Sequence, residues 1–313
     1  MSSLAIVIVN YNTRELLRDC LTSIFAVTTR HRVDVWVVDN ASSDGSVAMV
    51  QRTFPMVHLI ANTHNGGYAY ANNLALREIL ALPKLDPERQ EMASDIAYLP
   101  DYVMLLNSDT VVPDQTLDGL IRYIEAYPDV GAVGPKLLLA DGTLDLACRR
   151  AFPTPTTFIY HAIGLSRLFP RSPRFARYNM TYLDPDIEVD VDALVGACML
   201  LRSSVIQEVG LLDEEFFMYG EDLDWSYRIK QYGWRIKYTP HVIVHHYKRA
   251  SSSQRPFASI RHFYHAMRVF HRKHYAATAP TLFNIMIEAG ITLKEAWSLG
   301  RNFLRPAAAR RVG

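Results

Sequence analysis

Asp109 ends an apolar run. Tyr102 to Leu106 are hydrophobic, and the chain then turns polar through Asn107-Ser108-Asp109-Thr110. A buried strand leaving the core delivers a carboxylate to a cleft in this way. A hard oxygen ligand there can hold Mg²⁺ or Mn²⁺ against a diphosphate, or it can be a solvated aspartate in a strand-to-turn junction. Other polar clusters follow apolar runs in the same fashion. Asn10-Tyr11-Asn12 can wall a nucleotide, with Tyr11 as a stacking face, or cap a helix. Asp39 can accept the imide N–H of a pyrimidine or close an Asx turn. Asn65-Gly66-Gly67 lets backbone approach a ligand closely, or makes an ordinary turn. The turn at Gly220 places Glu221-Asp222 at a helix start, where anions are favoured. Two adjacent carboxylates beside phosphate charge can raise one pKa into the range of a general base. Asp224 and Arg228, four residues apart, read as an ion pair on a helix surface.

The elements that must position these groups follow from the pattern. Leu4–Val9 is a near-continuous β-branched run, the mark of a strand buried on both faces. A helix is predicted from Arg14 to about Val27, a strand over Val33–Val38, and a helix from Ser46 to about Arg52. A third strand over Val57–Ala61 precedes a helix from Tyr68 to about Leu80. Three strand–loop–helix units imply a right-handed βαβ half-domain, in which ligands bind beyond the carboxyl ends of the strands. Every polar cluster of that half lies at this edge.

Pro83 to Pro100 reads as a surface insertion. A helix from about Pro113 to Ala126 and a short strand over Val130–Val133 follow. Leu137–Leu139 and Leu144–Cys148 flank Asp141-Gly142, a hairpin signal. Phe152 to Asp186 is rich in proline and arginine, with a short helix near Thr157–Leu165. Val191–Arg202 reads as a strand, with Gly196 marking a close backbone approach. A helix over Ser203–Val209 stops at Gly210. Trp234–Tyr238 and Val242–Val244 are strand material leading into His245-His246.

Composition excludes several classes. The apolar share is ordinary for a globular chain, and no apolar stretch reaches the roughly 18–20 residues that span a bilayer. Met1 runs straight into a strand, so no signal peptide is expected. Cys20, Cys148 and Cys198 lack metal or redox spacing and are expected to be reduced thiols. The net charge of +1 hides an asymmetry. From Lys248 onward there are 12 Lys/Arg against 2 Asp/Glu, whereas residues 1–247 carry 21 against 30. An acidic body with a basic tail points to an anionic partner for the tail. Pro256–Tyr275 and Leu282–Leu304 are amphipathic at helical spacing. They suit an anionic membrane surface or packing against the body, and they match no nucleic-acid-binding pattern.

Six stretches in order, spread over roughly residues 4–250, carry a resemblance. They are Val7-Ile8-Val9-Asn10-Tyr11-Asn12; Val37-Val38-Asp39-Asn40 through Ser46; Asn65-Gly66-Gly67-Tyr68 through Asn73; Leu105-Leu106-Asn107-Ser108-Asp109; Gly196-Ala197; and Glu221-Asp222-Leu223-Asp224-Trp225. The chain resembles the family 2 glycosyltransferases of GT-A fold, within them the rhamnosyltransferase-like branch that builds cell-surface polysaccharides. The resemblance implies an α/β fold with a Rossmann-like, mostly parallel central sheet flanked by helices, and a C-terminal helical extension. Residues 1–250 would form the catalytic domain, 1–110 its nucleotide half and 111–250 its acceptor half, with 251–313 as the basic tail.

It implies a nucleotide site made by Asn10, Tyr11, Asn12, Asp39, Asn65, Gly67, Asn107 and Ser108. Asp109 would bind Mg²⁺ or Mn²⁺. The family's usual Asp-x-Asp is Asn107-Ser108-Asp109 here, so another ligand is needed. The family places a histidine after a late strand, and spacing favours His246 over His245. Asp222 would be the general base, with Glu221 beside it, in a single displacement with inversion. Gly196 and Trp225 would lie on the acceptor side. The donor implied is dTDP-rhamnose and the acceptor a hydroxyl of a lipid-linked or polysaccharide glycan. The place of action implied is cytoplasmic, peripheral on the inner face of the plasma membrane. Two rivals differ in class. A nucleotidyltransferase would show a glycine-rich phosphate loop after the first strand, which Asn10-Tyr11-Asn12-Thr13-Arg14 lacks. A non-catalytic nucleotide-sugar-binding protein would have no need of both Asp109 and Asp222.

Overall fold

A computed structural model of the chain describes residues 1–80, 99–248 and 255–306. Most of the expected insertion at 83–100 and the junction between body and tail lie outside the described residues. The first half follows the alternation of strand and helix: β1 (Ser3–Asn10), α1 (Arg14–Ala26), β2 (Arg32–Asp39), α2 (Ser46–Thr53), β3 (His58–Ala61) and α3 (Tyr68–Ile79). Then come β4 (Tyr102–Asn107), β5 (Thr110–Val111), α4 (Thr116–Ala126) and β6 (Val130–Leu139). The second half holds α5 (Pro155–Ala162), α6 (Leu165–Leu168), β7 (Val189–Asp190), β8 (Cys198–Arg202) and α7 (Ser203–Val209). It closes with α8 (Glu221–Gln231), β9 (Arg235–His246), α9 (Pro256–His274) and α10 (Thr281–Phe303).

The strands form one sheet in the order β3-β2-β1-β4-β8-β6-β9-β5, with β7 paired to β9. The four strands from β3 to β4 are parallel, and β8 reverses the direction against β4. β1 and β4 sit inside the sheet and are buried nearly throughout, which is why their sequences are apolar on both faces. The core continues through Leu17, Leu21, Leu76, Met104, Leu200 and Trp225. All three cysteines are buried and unpaired.

Four local expectations change. The hairpin keeps its turn, with Gly142 at φ +77° and a single bridge from Leu138 to Leu144. Its second arm is no strand, because the Asp145 carboxylate accepts the Ala147 N–H and winds Leu146–Cys148 into a 3-10 turn. The strand foreseen over Val191–Arg202 begins only at Cys198. The two C-terminal strand pieces are one strand, β9, which accommodates Pro240 at an irregularity in its pairing with β6. Asp224 is fully buried, so its pair with Arg228 is not a surface pair.

That aspartate fastens the tail to the body. Arg228 Nε (2.8 Å), Lys273 Nζ (2.7 Å) and His274 Nε2 (2.8 Å) all converge on its carboxylate. The last two belong to α9, whose Ala266, Val269 and Phe270 pack against Phe216 and Leu223. Arg272 meets Glu215, and Lys273 also reaches Asp213 at 2.6 Å. Burial resists ionisation of Asp224, but His274, Arg228 and Lys273 outweigh it and lower its pKa from 3.8 to about 2. A depressed folded pKa stabilises the protein above the ordinary carboxylate range, and the contribution is lost as pH falls through about 2. Asp224→Asn removes the buried charge on which Arg228 and Lys273 converge. It should lower stability by about 3 kcal/mol in urea unfolding at neutral pH. An unchanged midpoint would show that α9 docks without this cluster.

Candidate active site

β1 and β2 are in register, so Asn10 lies beside Asp39 at the carboxyl edge of the sheet. Asn10 Nδ2 donates to Asp39 Oδ2 at 2.8 Å, and Thr13 Oγ1 donates to Asn10 Oδ1 at 2.6 Å. The Ser42 N–H donates to Asp39 Oδ1 at 2.8 Å. Asn10 is therefore a buried brace for Asp39 and not a wall of the cleft. Asn12 takes a left-handed conformation (φ 51°), and its Oδ1 accepts the Ser43 N–H at 2.7 Å, tying the first two loops together. Tyr11 is half-buried, with the guanidinium of Arg255 5.6 Å from its ring centre.

The glycines of the third loop answer to protein contacts. A Cβ on Gly67 would lie 2.4 Å from the Phe217 carbonyl oxygen, and one on Gly66 would lie 2.3 Å from the Tyr70 ring. Asn65 Oδ1 accepts from Asn40 Nδ2 and from the Gly67 N–H. The close approach expected at Asn65 and Gly67 is thus made by the loop before α8, and it pins that loop to the nucleotide half.

Pairing of β5 with the end of β9 places Thr110 opposite His246 and brings the histidine to Asp109. His246 Nε2 lies 3.3 Å from Asp109 Oδ1, and Nδ1 lies 2.9 Å from Asp145 Oδ2. His246 is buried whereas His245 is exposed, as spacing had favoured. Burial would lower the imidazole's pKa, but hydrogen bonds and charge from Asp109 and Asp145 push it up to about 9. Asp145 is itself held well below the usual carboxylate range, against its burial, by His246 and Lys248.

These residues fit a divalent cation. A carboxylate and an imidazole converge at a cleft edge, and the far ring nitrogen is fixed by a second carboxylate, the support that metal-bound histidines usually have. Positive charge is stabilised between the acids. Two protein ligands are few for Mg²⁺ or Mn²⁺, so oxygens of a bound diphosphate would complete the set. No cluster of three or more His, Cys, Asp and Glu side chains stands ready for a metal among the described residues.

A line of close polar contacts leads from this pair to the acids of α8. Asn107 Nδ2 is 3.4 Å from His246 Nε2. Tyr68 OH lies 3.2 Å from Asn107 Oδ1 and 3.0 Å from the Gly196 carbonyl oxygen, to either of which it can donate. The Gly196 N–H donates to Asp222 Oδ2 at 3.3 Å, and Arg150 Nη2 donates to the same oxygen at 2.7 Å. A Cβ on Gly196 would lie 3.1 Å from the Tyr68 hydroxyl, so a larger residue here would press on that contact. Ser108 is buried against Thr13 at 3.0 Å and positions the turn that carries Asp109. Glu221 is buried with Oε2 lacking a hydrogen-bond partner among the described residues. Burial and the charge of Asp222 push its pKa well above the usual carboxylate range. Trp225 is fully buried and its Nε1–H donates to the Gly210 carbonyl, so it belongs to the core and not to an acceptor surface.

Sequence reasoning missed Asp145, Arg150 and the linking role of Tyr68. Asp145 sat inside a false hairpin arm. Arg150 was one arginine among many, and nothing in its neighbourhood singles it out. Tyr68 marked a helix start and gave no hint of its reach to Asn107.

With this geometry in hand, comparison with known proteins is informative. Residues 2–263 match the family model described as Glycosyltransferase like family 2. The chain is 31% identical over 255 residues to the N-acetylglucosaminyl-diphospho-decaprenol L-rhamnosyltransferase of Mycobacterium tuberculosis, covering 81% of this chain and 78% of that one. It is 28% identical over 207 residues to a rhamnosyltransferase of Escherichia coli K12, covering 65% and 69%. Among solved structures it is similar to a mannosyltransferase from Pyrobaculum calidifontis determined with GDP-Man and Mn²⁺. The TM-score is 0.54 at 19% identity, covering 98% of this chain and 73% of that one. Fold, strand-end site and extended sequence similarity agree: the chain is a glycosyltransferase of GT-A fold and belongs to glycosyltransferase family 2.

Proposed function

We propose that the enzyme transfers rhamnose from dTDP-rhamnose to a hydroxyl of a lipid-linked glycan, with inversion, at the cytoplasmic face of a membrane. The observation that carries the proposal is the placement of Asp109–His246 and Asp222 at the two ends of one line of close polar contacts through Asn107, Tyr68 and Gly196. The first end suits a diphosphate and the second a hydroxyl. Rhamnose as the sugar and a lipid-linked acceptor are supported by the relative named N-acetylglucosaminyl-diphospho-decaprenol L-rhamnosyltransferase; the dTDP carrier rests on the family resemblance alone.

Asp39, braced by Asn10, would receive the imide N–H of thymine beside Tyr11. Asp109 and His246 would hold Mg²⁺ or Mn²⁺, which when bound neutralises the diphosphate leaving group. Asp222 would take the proton of the acceptor hydroxyl as its oxygen attacks the anomeric carbon from the face opposite the diphosphate. Arg150 and the Gly196 N–H both occupy Oδ2, and Oδ1 accepts the Leu223 N–H from the same helix turn. The carboxylate is thereby fixed in orientation before substrate arrives. Glu221, kept neutral by its surroundings, would add no second negative charge where the hydroxyl must approach.

The test is a panel of nucleotide sugars offered with a polyprenyl-diphosphate N-acetylglucosamine acceptor and Mn²⁺. Transfer from dTDP-rhamnose alone, with an inverted anomeric centre by NMR, is expected. Pyrophosphate release from a nucleoside triphosphate and a sugar phosphate would overturn the proposal in favour of nucleotidyl transfer. Preference for another nucleotide sugar would refute the donor.

A further inference from the structure

Sequence pattern alone makes the whole basic tail a candidate for a membrane surface, but the structure divides it. α9 is committed to the body. Its apolar residues fill a cluster with Phe216 and Leu223, Arg272 and Lys273 meet Glu215 and Asp213, and His262 stacks on Phe217 at 4.3 Å. α10 is different. It packs on α9 through Ile287 and Ile291, and it carries a second apolar face that nothing among the described residues covers. Leu282, Ile285, Met286, Leu293, Trp297 and Leu304 are all exposed, Leu293 by 72% and Trp297 by 56%. At about 100° per residue these positions fall within a single stripe about 120° wide.

The two edges of the stripe differ in charge. On one edge, Glu288 and Glu295 share the single Arg268 of α9 at 3.3 and 2.8 Å, which turns both carboxylates toward α9 and offsets one of their two charges. On the other lie Lys294 and Arg301, and Lys294 is within electrostatic reach both of Arg301 and of Arg167 on α6. Burial and these two like charges depress the Lys294 pKa. The Arg301 guanidinium stands 4.5 Å from the centre of the exposed Trp297 ring. Beside Arg167, Ile163 and Leu168 are also exposed. No described helix is long and apolar enough to cross a membrane.

We propose that the outward stripe of α10, with Arg167, Lys294 and Arg301 along its edge, docks the enzyme in the plane of an anionic membrane. An apolar stripe with an exposed tryptophan and a basic border is complementary to acyl chains beneath anionic headgroups. The inference deepens the proposed transfer to a lipid-linked acceptor and rests on it for the choice of partner. Docking here would carry the catalytic domain to the surface where its acceptor is embedded.

The experiment uses the full chain and sedimentation with vesicles of phosphatidylcholine, with and without phosphatidylglycerol. The wild-type enzyme should sediment with the anionic vesicles. Leu293→Glu combined with Trp297→Glu should weaken that binding at least about tenfold, since two apolar side chains no longer leave water. Arg167→Glu combined with Arg301→Glu should abolish the preference for phosphatidylglycerol. Transfer to a short-chain, water-soluble acceptor should be unchanged in both variants, which also reports correct folding. Wild-type vesicle binding by the Leu293/Trp297 variant would overturn the proposal. So would a wild-type dimer that this variant converts to monomer, since the stripe would then cover a second copy. If no acceptor is glycosylated by any protein yet vesicle binding is lost as described, the docking surface stands and the acceptor assignment fails.

Discussion

Asp222→Asn is expected to reduce sugar transfer about a thousandfold and to leave donor affinity nearly unchanged, because it removes the proton acceptor and leaves the diphosphate end of the cleft intact. The amide oxygen can still accept from Arg150 and the Gly196 N–H, but the amide nitrogen then replaces the oxygen that accepts the Leu223 N–H, so one hydrogen bond is lost as well. What it also loses is the charge opposite a buried guanidinium. Such a loss costs about 3–5 kcal/mol, so thermal stability must be measured alongside the rate. Glu221→Gln separates the two acids. Glu221 is held neutral by burial and by Asp222, so an amide of the same shape should transfer at close to the wild-type rate. Single-turnover rates and dTDP titrations on both variants decide the matter. The opposite result, with the Glu221 variant inactive and the Asp222 variant active, would assign the proton to Glu221.

The second large effect is expected at the other end of the path. Asp109→Ala should weaken dTDP binding in Mn²⁺ about a hundredfold and abolish its sensitivity to EDTA, since one of the two proposed protein ligands would be gone. Asp145→Asn should act through His246 alone. It leaves the ligands in place but loosens the imidazole, for an expected loss of about 10- to 100-fold in metal affinity. Mn²⁺ binding measured directly, by electron paramagnetic resonance in the presence of dTDP, reads both without requiring turnover. His245→Ala, on the exposed side of β9, should change neither quantity. If the wild-type enzyme binds dTDP equally well with and without a divalent cation, the metal assignment is wrong at Asp109 and at His246 together.

Much of the molecule was legible because its signals are local. An unbroken apolar run such as Leu4–Val9 fits only a strand covered on both faces, and Gly210 and Gly233 stop their helices by adopting φ +87° and +90°. The strand-end clusters fell at one edge because parallel strands joined by helices leave no other arrangement. His245 and His246 fall on opposite faces by alternation along a strand, and burial of His246 rather than His245 is what the pairing of β9 decides.

The errors share a cause, which is burial supplied by distant segments. Trp225 and Asp224 looked like surface or cleft residues from their helix alone. α9 and the Gly210 turn cover them, and nothing near them in sequence announces it. Gly67 looked like room for a ligand, and that room is taken by Phe217, 150 residues further on.

Sequence by itself therefore determined the strands of the first half, the glycine stops of α7 and α8, the carboxylates and the edge at which they gather, because periodicity and turn chemistry are properties of neighbouring residues. Tertiary structure alone decided which groups meet. It set Asp145 behind His246, Arg150 against Asp222 and Tyr68 between the two ends of the site. It also assigned α9 to the body and left only α10 open. Those outcomes depend on strand register and on polar contacts between segments 72 to 128 residues apart, for which a linear pattern carries no local signature.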